Sequence, residues 1–92
     1  MKTTKQIADE AAKLRKMKPT VIPKSMFGDD HHAAIDAQVW ALEQGASVEE
    51  INDKYNYDTR EGENTAAYEA HEWMCDDGDK PSDGWKELVR KK

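Results

Sequence analysis

The sequence predicts an all-α fold: a small three- to four-helix domain with a loosely attached N-terminal helix in front of it. Three observations predict it. No segment alternates apolar and polar residues with the two-residue period of a half-buried strand. Apolar residues instead recur at helical intervals, as at Ile35, Val39 and Leu42 and again at Ala66, Ala70 and Trp73. Most of these runs open on cap chemistry and close at Gly or Pro.

Thr3 and Gln6 have capping-box spacing, and Ile7, Ala11, Leu14 and Met17 follow on one stripe. That helix must stop near Lys18, because Pro19 cannot continue the hydrogen-bond ladder. Its stripe is narrow and rich in Ala, so residues 1–18 are expected to be dispensable for the fold. Pro19 to Gly28 has two prolines and no period, which predicts an extended connector. Val21, Ile22, Met26 and Phe27 are available to pin it to a core surface.

The second helix starts at Asp29-Asp30 and carries the Ile35–Val39–Leu42 stripe, with Trp40 beside it as a predicted core residue. Gly45 suits the left-handed position that ends a helix. Ser47 and Glu50 then repeat the capping-box spacing, with Val48, Ile51 and Tyr55 marking a buried side. Residues 56–64 read as a polar loop. A further core helix is expected from about Thr65 to Asp77, ended by Gly78, with Ala66, Ala67, Ala70, Trp73 and Met74 inward. Trp85, Leu88 and Val89 predict a short terminal helix.

The core must be thin. Leu, Ile, Val and Phe number only 12 of 92 residues, beside 11 Ala. That is about 13% of the chain, below the ~20% at which disorder becomes a serious alternative. Three Trp, three Tyr and four Met supply the missing bulk. A core this small favours burial between copies, so a homodimer is compatible with it. The N-terminal stretch has no apolar signal region, no run is long enough to span a membrane, and Cys75 has no partner for a disulfide. The expectation is a cytoplasmic protein, and size and composition suggest a bacterial or mobile-element origin.

Charge divides the chain. Residues 1–26, the basic N-terminal helix and its connector, carry net +5. Residues 27–83 carry net −13, and the last nine return to +3. Residues 27–92 are therefore read as an acidic helical domain. Glu63 to Asp79 holds six acids and no Lys or Arg.

Several motifs invite chemistry. Asp29-Asp30-His31-His32 is explained as a helix start, since Asp caps free N–H groups and suits the positive end of the helix dipole. "HEWMC" resembles the H-E-x-x-H motif of zinc metalloproteases, with Glu72 at the general-base position and Cys75 in place of the second His. Only His71 and Glu72 match, and no third downstream ligand is clear. A structural zinc on His71 and Cys75 with His31 or His32 is the alternative that spacing permits. No phosphate loop, nucleophile elbow or other catalytic set is present in the sequence.

"ALEQGASVEEINDKY" resembles the first half of helix-turn-helix domains, which implies that the next helix would enter a DNA groove. That stretch bears Glu63, Glu69, Glu72, Asp76, Asp77 and Asp79, which repel phosphate. The sequence therefore favours a non-enzymatic protein-interaction module with no cofactor and no metal. Glu69, Glu72 and Asp76 are its expected contacts to a basic or nucleic-acid-binding protein. A helix-turn-helix-like nucleic-acid binder is the second reading.

Overall fold

Thr3 and Gln6 close the capping box that their spacing predicts. The Thr3 hydroxyl accepts from the Gln6 N–H at 3.1 Å, and the Gln6 amide oxygen accepts from the Thr3 N–H at 2.8 Å. Helix α1 (Thr4–Met17) follows in the computed structural model, which describes residues 1–90. A 3₁₀ turn at Lys18–Thr20, containing Pro19, ends it. Then come α2 (His31–Gln44), α3 (Val48–Lys54), α4 (Glu61–Met74) and a 3₁₀ helix at Pro81–Leu88. Among the described residues the only strand-like pairings are isolated bridges, Val21 to Val89 and Lys24 to Asp30. The all-α class is as predicted.

Helix α2 is the centre of the molecule. Asp30 caps its start by accepting from the Ala33 N–H at 3.0 Å, and Gly45 ends it at φ 57°. Ala34, Ile35, Ala37, Gln38, Val39, Ala41 and Leu42 are all buried, which is more than one face of a helix. A helix apolar on two sides needs two covers, and α1 and α4 supply them. The Lys18–Asp36 and Arg15–Glu43 ion pairs set α1 antiparallel to α2. The described chain is a flat body, 36 × 31 × 18 Å along its principal axes.

Where the sequence predicts a loosely attached first helix, α1 is seated on this core. Its stripe is narrow, as expected, yet Leu14 is fully enclosed and Ala11 nearly so. Two further ties hold it. The buried Glu10 carboxylate accepts from the Ser82 N–H at 2.8 Å, and the Lys2 N–H donates to the Met74 carbonyl at 3.1 Å. The reason lies in α2: its second apolar side requires a cover that the α1 pattern alone does not announce.

The connector also departs from expectation. Val21 is fully buried, but Ile22 is 41% exposed and Met26 and Phe27 point into solvent. Polar contacts pin it instead. The His31 ring Nδ1 bonds the Ile22 carbonyl at 2.8 Å, and the His32 ring Nε2 bonds the Val21 carbonyl at 2.9 Å. On its other side the Ile22 N–H donates to the Leu88 carbonyl at 3.0 Å.

Helix α4 begins at Glu61, four residues earlier than the apolar pattern predicts, and takes in Gly62. The turn Asn56–Arg60 starts it, and Glu61 and Glu63 in the first turn complement the helix dipole. Its last helical residue is Met74, and Asp76 rather than Gly78 supplies the left-handed turn that stops it. Asp76 adopts φ 65°, and the Asp77 N–H donates to the Glu72 carbonyl while the Asp76 N–H donates to the Trp73 carbonyl. That is the Schellman pattern, in which Asp is one of the few L-residues tolerated at the left-handed position.

Tryptophans divide differently from expectation. Trp73 is the buried one, at 4% exposure. Trp40 sits at the core's edge, edge-on to Tyr55 with Lys54 over its ring. Val48, predicted to face inward, is 41% exposed, whereas Ile51 and Tyr55 are buried. The terminal element is a 3₁₀ helix whose Trp85 indole N–H donates to the fully buried Gln38 side-chain oxygen at 2.7 Å.

Candidate functional site

The inward side of α4 is spent on Asn64, Ala66, Ala67, Ala70, Trp73 and Met74. Its outward side is left with Glu61, Thr65, Glu69 and Glu72, all exposed. Glu69 and Glu72 line a cleft of about 480 Å³ together with Asp79 from the turn beyond the helix and Asp83 from the 3₁₀ helix, and Lys80 is its one base. A second groove, of about 660 Å³, lies between the starts of α2 and α4. Asp29, Asp30, Glu61 and Glu63 line it together with Arg60 and Trp85. Glu69 lines both hollows, so they form one acidic valley along the outer side of α4.

The carboxylates of this valley differ in what they touch. Asp83 pairs with Lys86 at 2.9 Å, and that hydrogen bond holds its pKa below the usual range. Glu69 remains exposed, yet the cleft walls withdraw part of its water. That desolvation, with the Glu72 charge beside it, raises its pKa. Among the described residues, neither Glu69, Glu72 nor Asp79 has an ion-pair partner, whereas Asp9 on α1 and Asp36 and Glu43 on α2 are paired.

Of the three acids expected to form the site, the structure brings together two. Glu69 and Glu72 share the cleft. Asp76 is turned to the start of α1, where its carboxylate takes Lys2 Nζ at 2.6 Å and the terminal amine. Hydrogen bonds from these two cations hold its pKa down at about 2. Residues that the sequence reading did not assign to this surface are Asp83, Glu61 and Trp85. Asp83 lies in the 3₁₀ helix and Asp79 in the turn before it, and both enter the cleft only because the chain doubles back over α4. Glu61 was readable as a helix-start acid once Arg60 is seen as the residue before the helix.

The histidines and the cysteine are occupied by the fold. His31 and His32 hold connector carbonyls at the start of α2, as described above. His71 lies toward the other end of the molecule, where its Nδ1 bonds the Ala46 carbonyl at 3.0 Å and its Nε2 lies 3.8 Å from Cys75 Sγ. The structure therefore does not bring His31 or His32 to His71 and Cys75. Among the described residues, no three His, Cys, Asp or Glu side chains are grouped to hold one metal ion. Glu72, at the general-base position of the metalloprotease-like string, faces the acidic cleft.

No protein-family model, curated protein or solved structure matches this chain. The reading of its function rests on the surface just described.

Proposed function

We propose that this protein is a non-enzymatic interaction module whose acidic valley receives a basic protein surface. A nucleic-acid-binding protein, its groove already shaped for phosphate, is a partner of suitable chemistry. The observation that carries this reading is the unpaired Glu69–Glu72 couple in a partly dehydrated cleft. Two like charges held one helical turn apart repel each other, and a partner's Lys or Arg relieves that repulsion on docking. The wider acidic field speeds encounter with such a partner at low salt.

The helix-turn-helix reading has the α2–Gly45–α3 hairpin in its favour. Against it stands α4, whose outward side is acidic where a groove-reading helix needs cations. A reducing compartment such as the cytoplasm suits the lone, exposed Cys75. No described helix is long and apolar enough to cross a membrane.

Affinity capture from the source cells tests the proposal, using the native chain beside the Glu69→Lys/Glu72→Lys variant. Asp76 is left unchanged because it anchors Lys2. The expected result is a partner held by the native chain at low salt, released as salt rises, and lost from the variant at equal helicity. A partner that binds both proteins equally and ignores salt refutes the acidic-face reading. A gel shift with mixed-sequence DNA at low salt would favour the helix-turn-helix alternative instead.

A further inference from the structure

The chain's single Phe is spent on solvent. Met26 and Phe27 are 91% and 88% exposed, adjacent at the tip of the connector. In a chain with so few large apolar residues, two placed together outside the core call for a use.

The tip is held in one shape. The Ser25 carbonyl accepts from the Gly28 N–H at 3.1 Å, closing a tight turn around the pair. The Ser25 hydroxyl accepts from the N–H groups of Phe27 at 3.2 Å and Asp29 at 3.0 Å. The Ser25 N–H donates to the Asp29 carbonyl at 3.0 Å, and the His31 N–H donates to the Pro23 carbonyl at 2.7 Å. Gly28 supplies φ 91°, which side-chain-bearing residues avoid. Docking through this tip thus orders two side chains and no backbone, which lowers the entropic cost of association.

Charge selects what covers it. Gly28 and Asp29 run directly from the tip into the groove rimmed by Asp30, Glu61 and Glu63. An anionic membrane surface would meet these carboxylates with like charge. A second copy docking symmetrically would bring the same carboxylates to the same place. A protein with an apolar pocket ringed by Lys or Arg complements both the pair and its surroundings.

We infer that Met26 and Phe27 are the anchor of a docking interface, inserting into an apolar pocket of a protein partner whose rim is basic. The basic rim rests on the acidic-valley reading; the anchor rests on the tip's own geometry. Aromatic anchors at the centre of a polar ring carry most of the energy in such interfaces.

The test places a photo-crosslinking phenylalanine analogue at position 27 of the full chain in its source cells. The crosslinked protein is identified, purified, and titrated against the native chain, Phe27→Ser, and Glu69→Lys/Glu72→Lys. The expected result is an adduct to an apolar pocket with basic neighbours. Phe27→Ser should then weaken binding about tenfold or more at an unchanged melting temperature and salt slope. The charge-reversed variant should flatten the salt dependence while still crosslinking at position 27. If a salt-sensitive partner of the acidic valley binds Phe27→Ser as tightly as the native chain, the anchor is overturned and the valley reading stands. If Phe27→Ser weakens a partner that is indifferent to salt and to charge reversal, the basic rim is overturned together with the valley reading. Phe27-dependent pelleting with phosphatidylcholine–phosphatidylglycerol vesicles, or Phe27-dependent self-association in sedimentation, overturns the assignment to a protein partner.

Discussion

Leu14→Ala asks whether α1 is part of the core or an accessory to it. Leu14 is 0% exposed and belongs to the same buried cluster as Ala11, Ile35 and Leu42. Removing a fully enclosed Leu side chain costs about 2.7–5 kcal/mol, the larger values where the surroundings cannot collapse. Ala neighbours have no side chain to swing into the gap, but α1 is an outer helix and can settle inward. About 3 kcal/mol is therefore the expected loss. A domain of 92 residues has a total stability on the order of 5–14 kcal/mol, so this one side chain is a large share of it. At roughly 4–8 °C per kcal/mol for a domain this size, the melting temperature should fall by about 12–24 °C. Urea unfolding followed by Trp fluorescence and helical circular dichroism measures it, and the midpoint should move at constant slope. Two controls frame the value. Ile7→Ala, at a partly buried position, should cost about 1 kcal/mol, and Val48→Ala, at 41% exposure, should stay within about 0.5 kcal/mol. A Leu14→Ala loss below about 1 kcal/mol, or an unchanged midpoint on deleting residues 1–18, would refute the claim that α1 completes the core.

Trp73→Ala should cost about 3–5 kcal/mol in the same assay and Trp40→Ala clearly less, since only Trp73 is buried; equal losses would contradict the assignment. Asp76 has its pKa held at about 2, so the stability its ion pairs contribute is present above the ordinary carboxylate range and disappears as pH falls toward 2. Melting temperatures taken from pH 6 down to pH 2 should therefore fall more steeply for the native chain than for Asp76→Asn, which keeps the left-handed turn but not the charge; parallel curves would show that the pairing with Lys2 is not stabilising. His32→Ala should cost about 1–3 kcal/mol by leaving the Val21 carbonyl without its donor. Addition of EDTA or Zn²⁺ should leave the native melting temperature unchanged, and a stoichiometric zinc signal lost in that variant would overturn the connector-pinning role.

Helix starts and stops were legible because they are local chemistry. Thr3, Asp30, Ser47 and Gly45 act within a few bonds of where they stand, and each does in the structure what its spacing predicts. The end of α4 was misplaced for the same reason in reverse. Asp76 is a poor left-handed residue compared with Gly78, and what accompanies its turn is Lys2, 74 positions away in sequence. The acidity of the α4 face was also plain in sequence, since Glu61, Glu69 and Glu72 recur at helical spacing and stand outward opposite the Ala and Trp positions that pack behind them.

Tertiary structure decided the rest. Whether α1 docks depends on the second apolar side of α2, and which tryptophan is buried depends on how α2 and α4 face each other; neither is a property of one segment. The histidines of the second helix look like ligands in one dimension, and the fold uses them to hold connector carbonyls that sequence cannot bring near. The valley itself is a joint product. Glu69 and Glu72 come from periodicity, but Asp79 and Asp83 reach them only because the 3₁₀ helix carries the chain back across α4. Met26 and Phe27 are available by composition to pin the connector to the core and stand in water by geometry, on a turn that Ser25 and Gly28 close.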